Sequence, residues 1–160
     1  MVVPEEFVTM AQTYRVLSGL DPQQLRKLLP IAQDRKFSNG EVIFREGDKS
    51  SFFHLIVSGE VALEETAGNR PVRVQTLHPG DAMGWSALSE DARTHFQART
   101  LSPVTTVAFP GARIREACNL DPAMGYAFLK QLLELVTERL DATRMQLAGR
   151  SGNTHPAPAH

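Results

Sequence analysis

The segment Gly80–Leu88, with the sequence GDAMGWSAL, ends a series of glycine-punctuated strand patterns and is followed by Arg93 and Thr94. Its glycines permit a tight turn and the close approach of another backbone, and a short helical turn is predicted after Gly84. Exposed N–H groups at the start of such a turn attract an anion, and a guanidinium group can bind a phosphate through two hydrogen bonds. We therefore interpret the segment as an anion cradle in a ligand sensor that is not a catalyst.

The residues on both sides of the cradle have the pattern of short antiparallel strands. Five segments are short, rich in β-branched or aromatic residues, and often alternate between apolar and polar residues: Glu41–Arg45, Phe52–Val57, Glu60–Glu65, Pro71–Leu77 and Val104–Phe109. The pairs between them favour turns, because glycine and asparagine tolerate positive φ and proline presets the turn: Asn39-Gly40, Gly47-Asp48, Ser58-Gly59, Gly68-Asn69 and Pro79-Gly80. The pattern predicts a β-roll of jelly-roll type over residues 35–110.

Helices are predicted before this roll, over residues 1–34. One helical face is predicted from apolar residues at helical spacing: Phe7, Met10, Ala11, Tyr14 and Leu17. Asp21 and Pro22 then provide an N-cap and a proline at the first helical position, and the second helix is predicted to bury Leu25, Leu28 and Leu29.

Helices are predicted again after the roll, over residues 111–150. Asp121-Pro122 repeats the cap-and-proline start, and a long amphipathic helix is predicted to run to about Leu147 and to end at Gly149. It carries two apolar stripes, one of Leu129, Leu133, Val136, Leu140, Thr143 and Leu147, the other of Phe128, Leu132 and Leu135. We interpret one stripe as packed on the roll and the other as a homodimer contact, with both stripes facing one core as the alternative. Residues 151–160 are predicted to be a disordered tail.

The composition places the chain among ordinary globular proteins. Its 160 residues are about one domain, here predicted over residues 1–150, with 42% hydrophobic and 22% charged residues and a net charge of −1. This balance gives no indication of a nucleic-acid or membrane partner. A single cysteine, Cys118, excludes an internal disulfide, and with no basic region before an apolar core we expect a cytoplasmic protein.

Four segments in this order resemble the cyclic-nucleotide-binding domain family, most closely the sensor half of bacterial catabolite-activator and Fnr-like regulators. They are GEVIFREGD (40–48), HLIVSGEV (54–61), LHPGDAMGWSAL (77–88) and TERLDATRMQL (137–147), and the resemblance spans about Leu17 to Leu147. The resemblance implies a β-roll that holds a cyclic nucleotide, with a C-terminal helix that closes over the base and often dimerises.

The resemblance also implies roles for individual residues. The family cassette is Phe-Gly-Glu-x-Ala-Leu with an arginine about ten residues after the glycine, and the matching residues here are Met83, Gly84, Trp85, Ser86, Ala87 and Leu88. Arg93 follows Gly84 by nine residues and is the candidate phosphate ligand, with Thr94 beside it; the alternative for Arg93 is a solvent-facing arginine on a loop. Arg99 is a reserve candidate, although the alternation of residues 97–100 indicates an outward-facing strand residue. Thr143 matches a threonine that reaches the base.

Trp85 replaces the family glutamate that accepts a hydrogen bond from the ribose 2′-hydroxyl. Loss of such a charge-assisted bond costs about 1.5–3 kcal/mol of binding free energy. The indole either stacks on a ligand ring or fills the pocket and closes it. Both readings remain open from the sequence.

Other chemistries have weaker support. His54, His78 and His95 lack the paired spacing of metal ligands that a cupin-like roll enzyme needs, and Ser86 lacks a glycine elbow. The residues after Gly149 are too few for a helix-turn-helix, and Arg139, Arg144 and Arg150 alternate with acidic residues in what we interpret as a charge-balanced helix face. Neither an enzyme nor a DNA-binding protein is therefore expected.

The sequence thus predicts a stand-alone sensor that binds a small anionic ligand, with cyclic AMP or cyclic GMP as candidates and no required cofactor. Its C-terminal helix would signal to an effector protein. The alternative is a degenerate, non-binding dimerisation or docking scaffold of the same fold.

Overall fold

The computed structural model describes the backbone of residues 5–154 and the side chains of residues 8–145 and 147–149. Four α-helices flank eight strands: α1 (Glu5–Ala11), α2 (Pro22–Leu28), β1 (Gln33–Phe37), β2 (Val42–Phe44), β3 (Phe52–Ser58), β4 (Val61–Ala67), β5 (Arg70–Leu77), β6 (Ala82–Met83), β7 (Gln97–Thr100), β8 (Val104–Pro110), α3 (Gly111–Leu120) and α4 (Pro122–Thr154). Short 3-10 turns occupy Arg15–Leu17, Leu29–Ile31 and Trp85–Leu88.

The strands form two four-stranded sheets in which every neighbouring pair is antiparallel. The helix-side sheet has the order β1-β8-β3-β6 and the outer sheet has the order β2-β7-β4-β5. On β3, Phe53 and Leu55 pack in the core beneath the helices, whereas Ile56 packs in the core between the sheets. This alternation is what a strand buried on both faces requires. The predicted mainly-β roll with flanking helices is confirmed.

The observed strands agree closely with the predicted segments, and the differences lie where the sequence pattern is weak. β1, β6 and β7 were not among the five predicted strands, because they are short or polar: β1 has the sequence QDRKF, β6 has two residues and β7 has four. The glycine of each of the five predicted turn pairs has positive φ, between 67° and 97°. The turn chemistry was therefore predicted correctly.

The predictions for the N-terminal helices are confirmed only in part. Asp21 caps α2 by accepting from the Gln24 N–H, and the Gln24 side chain accepts from the Asp21 N–H, which completes a capping box. The face predicted for the first helix is wrong at Met10, which is 52% exposed, because the chain leaves the helix after Ala11 and buries Val8 and Val16 instead. Phe7 of that face lies outside the described side chains.

The two predicted stripes of α4 differ in burial. Phe128 and Leu132 are buried against the roll and the N-terminal turns, and Leu135 packs at the edge of the same core. The side chains at the other stripe's leucine positions are all more than half exposed: Leu129, Leu133, Leu140 and Leu147. The two other residues of this stripe, Val136 and Thr143, are half-buried, and Val136 packs against the same core. The alternative in which both stripes face one core therefore fails at the four leucines but not at Val136.

The predicted end of α4 is wrong. The helix continues through Gly149 to Thr154, so residues 151–154 of the predicted disordered tail are helical, and residues 155–160 lie outside the described part. Gly149 is not among the glycines with positive φ, and no atom lies within 4 Å of an added Cβ. A glycine inside an exposed helix costs only about 1 kcal/mol relative to alanine, which does not stop a helix by itself. Within residues 5–154, no helix combines the length and the apolar character that crossing a bilayer requires.

Candidate ligand-binding cleft

The cradle segment is positioned by β3 and by the conformation of Gly84. β6 pairs with His54 and Leu55 of β3, and Gly84 then turns the chain with φ 78° and ψ 26°. A Cβ at this position would lie 2.5 Å from the Phe52 carbonyl oxygen. Glycine is therefore required at Gly84 for two reasons, a left-handed conformation and a close approach of backbone to backbone.

Helix α3 fixes the other end of the short turn Trp85–Leu88. The Arg115 guanidinium donates to the Ala87 carbonyl at 2.7 Å. A Cβ on Gly111 would lie 1.9 Å from the same oxygen, so the start of α3 packs directly on the turn. The Ser86 hydroxyl donates to the Ser50 hydroxyl at 2.8 Å. The turn is thus held from two sides by contacts outside itself.

The amides that begin this turn are available for an anion. The Ala87 N–H donates to the Gly84 carbonyl at 3.0 Å and is therefore occupied. The Trp85 and Ser86 N–H groups have no hydrogen-bond partner within the described part of the chain. The sequence interpretation places the phosphate on the amides near Ser86 and Ala87, and of these two only the Ser86 amide is unpaired.

A small cleft opens beside the turn, between the two sheets and α4. Its volume is about 50 Å³. It is lined by Phe44, Leu63, Met83, Gly84, Trp85, Ser86, Thr94, His95, Phe96 and Arg139. Ligand pockets for small organic molecules are typically about 300–1,000 Å³, so this cleft is far smaller than a nucleotide pocket.

Arg139 of α4 extends into the cleft and stacks on Trp85. Its guanidinium carbon lies 4.2 Å from the centre of the indole ring, and its Nη2 donates to the Ala82 carbonyl at 2.7 Å. Only 9% of the residue is exposed, which corrects the interpretation of Arg139 as part of a charge-balanced helix face. Burial lowers the pKa of Arg139 to about 10, partly offset by the charge of Asp81, so the side chain is cationic at neutral pH.

The spacing of α4 contains the signal that locates Arg139 in the cleft. Phe128, Leu132, Leu135 and Arg139 are separated by four, three and four residues, so Arg139 continues the buried stripe by one position. An arginine at a stripe position can bury its stem while its head group reaches a polar partner. Arg139 was interpreted as part of a charge-balanced face because Glu134, Glu138 and Asp141 surround it in the sequence. That interpretation did not take into account that Arg139 falls at the spacing of the buried stripe.

Arg93 lies outside the cleft. Its side chain is exposed and its Nη1 contacts the Gly47 carbonyl at 3.4 Å, while its backbone forms an isolated bridge with Lys49. Thr94 next to it does line the cleft, but its hydroxyl donates to the Arg45 carbonyl. The predicted phosphate role of Arg93 therefore needs a rotation of its side chain toward the turn.

The remaining predicted residues lie at the edges of the site. Thr143 is one turn beyond Arg139, and its hydroxyl donates to the Arg139 carbonyl at 2.9 Å. Arg99 sits on the exposed side of β7 and pairs with Glu64 at 3.1 Å, as expected for an outward strand residue.

Five of the nine predicted ligand-binding residues line the cleft: Met83, Gly84, Trp85, Ser86 and Thr94. Ala87, Leu88, Arg93 and Thr143 do not. The sequence interpretation missed Phe44, Leu63, His95, Phe96 and Arg139. Apart from Arg139, these residues lie in strands or just before β7. Their position at the cleft depends on how the two sheets pack together, which the local sequence does not show.

The histidines of the described part of the chain form no metal site. His54 is buried between Phe37 and Phe52 and hydrogen-bonds through Nδ1 to the Thr106 hydroxyl at 3.0 Å. Burial lowers the pKa of His54 to about 4, with a smaller effect from the charge of Arg35. The described side chains contain no cluster of three or more histidine, cysteine or carboxylate groups that could hold a metal ion.

The strands form a β-roll with a small cleft beside the Trp85–Leu88 turn, and comparison with known proteins specifies the family. The family model for the cyclic nucleotide-binding domain matches residues 34–121, which is more than half of the chain. The chain therefore belongs to the cyclic nucleotide-binding domain family, a family of regulatory domains that bind small cyclic nucleotides.

Relatives include both bacterial regulators and kinases. The chain is 29% identical over 143 residues to the nitrogen fixation regulation protein FixK of Bradyrhizobium diazoefficiens, covering 87% of this chain and 57% of FixK. It is 29% identical over 93 residues to cGMP-dependent protein kinase 2 of Mus musculus, covering 56% of this chain and 12% of the kinase. The chain thus spans only part of these relatives.

A solved structure shows the same fold over nearly the whole chain. A cyclic nucleotide-binding domain from Methylobacillus flagellatus superimposes with a TM-score of 0.80 at 15% identity, covering 95% of this chain and 88% of the other. At this identity the likeness is one of fold.

Proposed function

We propose that the chain is a regulatory sensor that binds a small anionic ligand of the nucleotide type and signals to a partner protein through α4. The proposal is carried by one observation: the unpaired Trp85 and Ser86 amides and the cationic Arg139 all belong to residues that line the same cleft. Amides at a turn start and a guanidinium both favour an anion. Cyclic AMP and cyclic GMP are the first candidates because of the family.

The phosphate of the ligand binds the amides at the start of the Trp85–Leu88 turn. Arg93 swings from the Gly47 carbonyl to reach the same phosphate. Its present contact is long, at 3.4 Å, and its side chain is exposed, so little opposes that rotation. The signal passes to α4 because Arg139 connects that helix to the cleft. A ligand shifts α4 only to the extent that it binds one position of the helix better than another.

The exposed stripe of α4 is the proposed contact with a second copy of the chain. Leu129, Leu133, Leu140 and Leu147 lie along one side of the helix, and each is more than half exposed. Leucines repeating at steps of four, seven and seven residues fit the seam of a helix pair. Binding of the ligand would then change the contact between the two α4 helices, and the partner protein would bind a dimer with an altered surface.

A second candidate function has a specific observation in its favour. The cleft volume of about 50 Å³ and the stack of Arg139 on Trp85 fit a module that binds no nucleotide and serves as a dimerisation or docking scaffold. The two functions differ in whether any nucleotide binds.

Calorimetric titration with cyclic AMP and cyclic GMP of the parent protein and of Arg93→Ala tests the sensor. Arg73→Ala is the matched control, since Arg73 is an exposed arginine on β5 away from the cleft. We expect saturable binding to the parent and to Arg73→Ala, and at least about tenfold weaker binding to Arg93→Ala, as for loss of a charge-assisted hydrogen bond. Equal affinity of Arg93→Ala and the parent would refute the phosphate role of Arg93, and no binding to any of the three would favour the scaffold.

A further inference from the structure

The charge of Arg139 has no ionic partner in the described part of the chain. The residue is 9% exposed, and its Nη2 donates to the Ala82 carbonyl, which is a neutral acceptor. Its other contact is the stack on Trp85. Among residues 8–145 and 147–149, the remaining N–H groups of the guanidinium have no hydrogen-bond acceptor and form no ion pair. Buried charges in proteins are ordinarily paired, so this arginine lacks an anion.

The acidic residues around Arg139 do not neutralise it fully. Glu134 and Glu138 of the same helix form ion pairs with Arg15. Asp81 acts on Arg139 through its charge, but its Oδ2 accepts from a backbone N–H at 2.8 Å and it forms no ion pair with Arg139 in the described part. Burial still lowers the pKa of Arg139 to about 10, so Asp81 offsets only part of the cost of burying this charge.

Arg139 and the unpaired amides are separate donors at one cleft. The amides belong to Trp85 and Ser86, whereas the guanidinium lies over the indole ring of Trp85, 4.2 Å from its centre. No residue that lines the cleft in the described part of the chain is acidic, so nothing there repels a second negative charge. Because the guanidinium lies over the ring and not beside the amides, a second anionic group is needed to bind it.

We propose that Arg139 is a second anion-binding site of the cleft and that the preferred ligand is a nucleotide with two separate phosphate groups, one on the amides of Trp85 and Ser86 and one on Arg139. A guanidinium binds a phosphate through two parallel hydrogen bonds, and a cyclic nucleotide has only one phosphate to offer. The contact joins the ligand to α4, in agreement with a helix that closes over its ligand. The first phosphate rests on the proposed function, whereas anion binding by Arg139 does not.

Anion binding by Arg139 is tested without a nucleotide, by thermal unfolding in sodium sulfate and in sodium chloride of equal ionic strength. An inorganic anion needs far less room than a nucleoside, so the test suits a cleft of about 50 Å³. The variant is Arg139→Gln, which removes the cation at similar length. Arg144→Gln is the matched control, because Arg144 is an exposed arginine on the same helix. Far-UV circular dichroism checks that all three proteins are folded.

We expect sulfate to raise the melting temperature of the parent and of Arg144→Gln by a saturable amount of at least about 2 °C beyond its effect on Arg139→Gln. Sulfate also stabilises folded proteins in general, and that effect is common to the three proteins. The comparison is made within each protein, so a lower stability of Arg139→Gln does not disturb it. An equal effect of sulfate on all three proteins overturns the anion site at Arg139.

The ligand class is tested by calorimetric titration of the same proteins with adenosine 3′,5′-bisphosphate and with cyclic AMP, which differ in having two phosphates or one on the same nucleoside. We expect the parent and Arg144→Gln to bind the bisphosphate at least about tenfold tighter than cyclic AMP, and Arg139→Gln to lose this preference. A parent without the preference overturns the two-phosphate class, and a preference that persists in Arg139→Gln overturns the role of Arg139. No binding of either nucleotide refutes the proposed function together with the two-phosphate class, and the sulfate comparison then decides on the anion site alone.

Discussion

The Phe53 ring of β3 and the Phe128 ring of α4 pack edge to face, with centroids 5.9 Å apart and an interplanar angle of 78°. Both side chains are almost completely buried, with 0% and 1% exposure. The contact attaches α4 to the helix-side sheet one strand away from the cradle segment. Together with the ion pairs of Arg15 with Glu134 and Glu138, it holds the part of the helix that precedes Arg139.

Phe128→Ala is expected to lower the free energy of unfolding by about 3–5 kcal/mol, because it leaves a cavity the size of a ring and loses the aromatic pair. Urea unfolding followed by circular dichroism measures the change. Leu129→Ala is the control, since Leu129 is the neighbouring residue of the same helix and is 51% exposed. A loss for Phe128→Ala no larger than for Leu129→Ala would show that α4 is not anchored here.

Gly84→Ala is expected to destabilise the roll more than Gly68→Ala. Both glycines have positive φ, 78° and 67°, so the conformational cost of about 1 kcal/mol is common to both variants. Only Gly84 faces an obstacle, the Phe52 carbonyl oxygen at 2.5 Å from an added Cβ, whereas nothing lies within 4 Å at Gly68. Thermal unfolding should show a further loss of about 1–3 kcal/mol for Gly84→Ala. Equal losses would contradict the close approach.

Stability is expected to fall as the pH is lowered from about 6.5 to 4 because of His54. Its pKa is about 4 in the folded state and 6.5 in the unfolded state, so the unfolded chain binds more protons in this window. The contribution is fully present above pH 6.5 and amounts to about 3 kcal/mol, which is lost by pH 4. Urea unfolding of His54→Gln across this range should show a correspondingly smaller pH dependence. A slope in His54→Gln equal to that of the parent would rule out His54 as its source.

Leu133→Glu is expected to lower the mass measured in solution from that of a dimer to that of a monomer. Leu133 is 67% exposed and lies on the proposed seam, where a charge facing its own copy is repelled and desolvated. Met145→Glu is the control, because Met145 is 75% exposed but lies on another side of α4. Light scattering measures both masses, and a parent protein that is monomeric, or an unchanged mass in Leu133→Glu, would contradict the seam.

The fold could be predicted well because its signals are local. Glycines such as Gly40 and Gly59 mark turns that need positive φ, and the alternation along β8 indicates which of its faces is buried. Strand β1 was missed because the sequence QDRKF carries almost no apolar alternation and is a strand only through its pairing with β8. The end of α4 was predicted wrongly because Gly149 was taken as a stop signal. A glycine inside a helix costs only about 1 kcal/mol relative to alanine, and the helix continues to Thr154.

The site could be predicted only in part because it is assembled from distant segments. Gly84 and Ser86 were found from the local pattern, whereas Phe44 and Phe96 reach the cleft only through the pairing of β2 with β7 and the closure of the sheets. Arg139 is 55 residues beyond Gly84 in the sequence, and its cleft position depends on the buried stripe of α4. The sequence left two interpretations of Trp85, stacking on a ligand ring or filling the pocket. The stack of Arg139 on its indole ring favours the second.

The central claim is that this cleft binds a cyclic nucleotide, and thermal unfolding of the parent protein with increasing cyclic AMP and cyclic GMP tests it most directly. A ligand that binds only the native state raises the melting temperature in a saturable, concentration-dependent way, by an amount equivalent to about 2.7 kcal/mol at one hundred times the dissociation constant. The account predicts such a rise for at least one cyclic nucleotide and none for non-cyclic 5′-AMP at equal concentration. An unchanged melting temperature at millimolar concentrations of both cyclic nucleotides would contradict it.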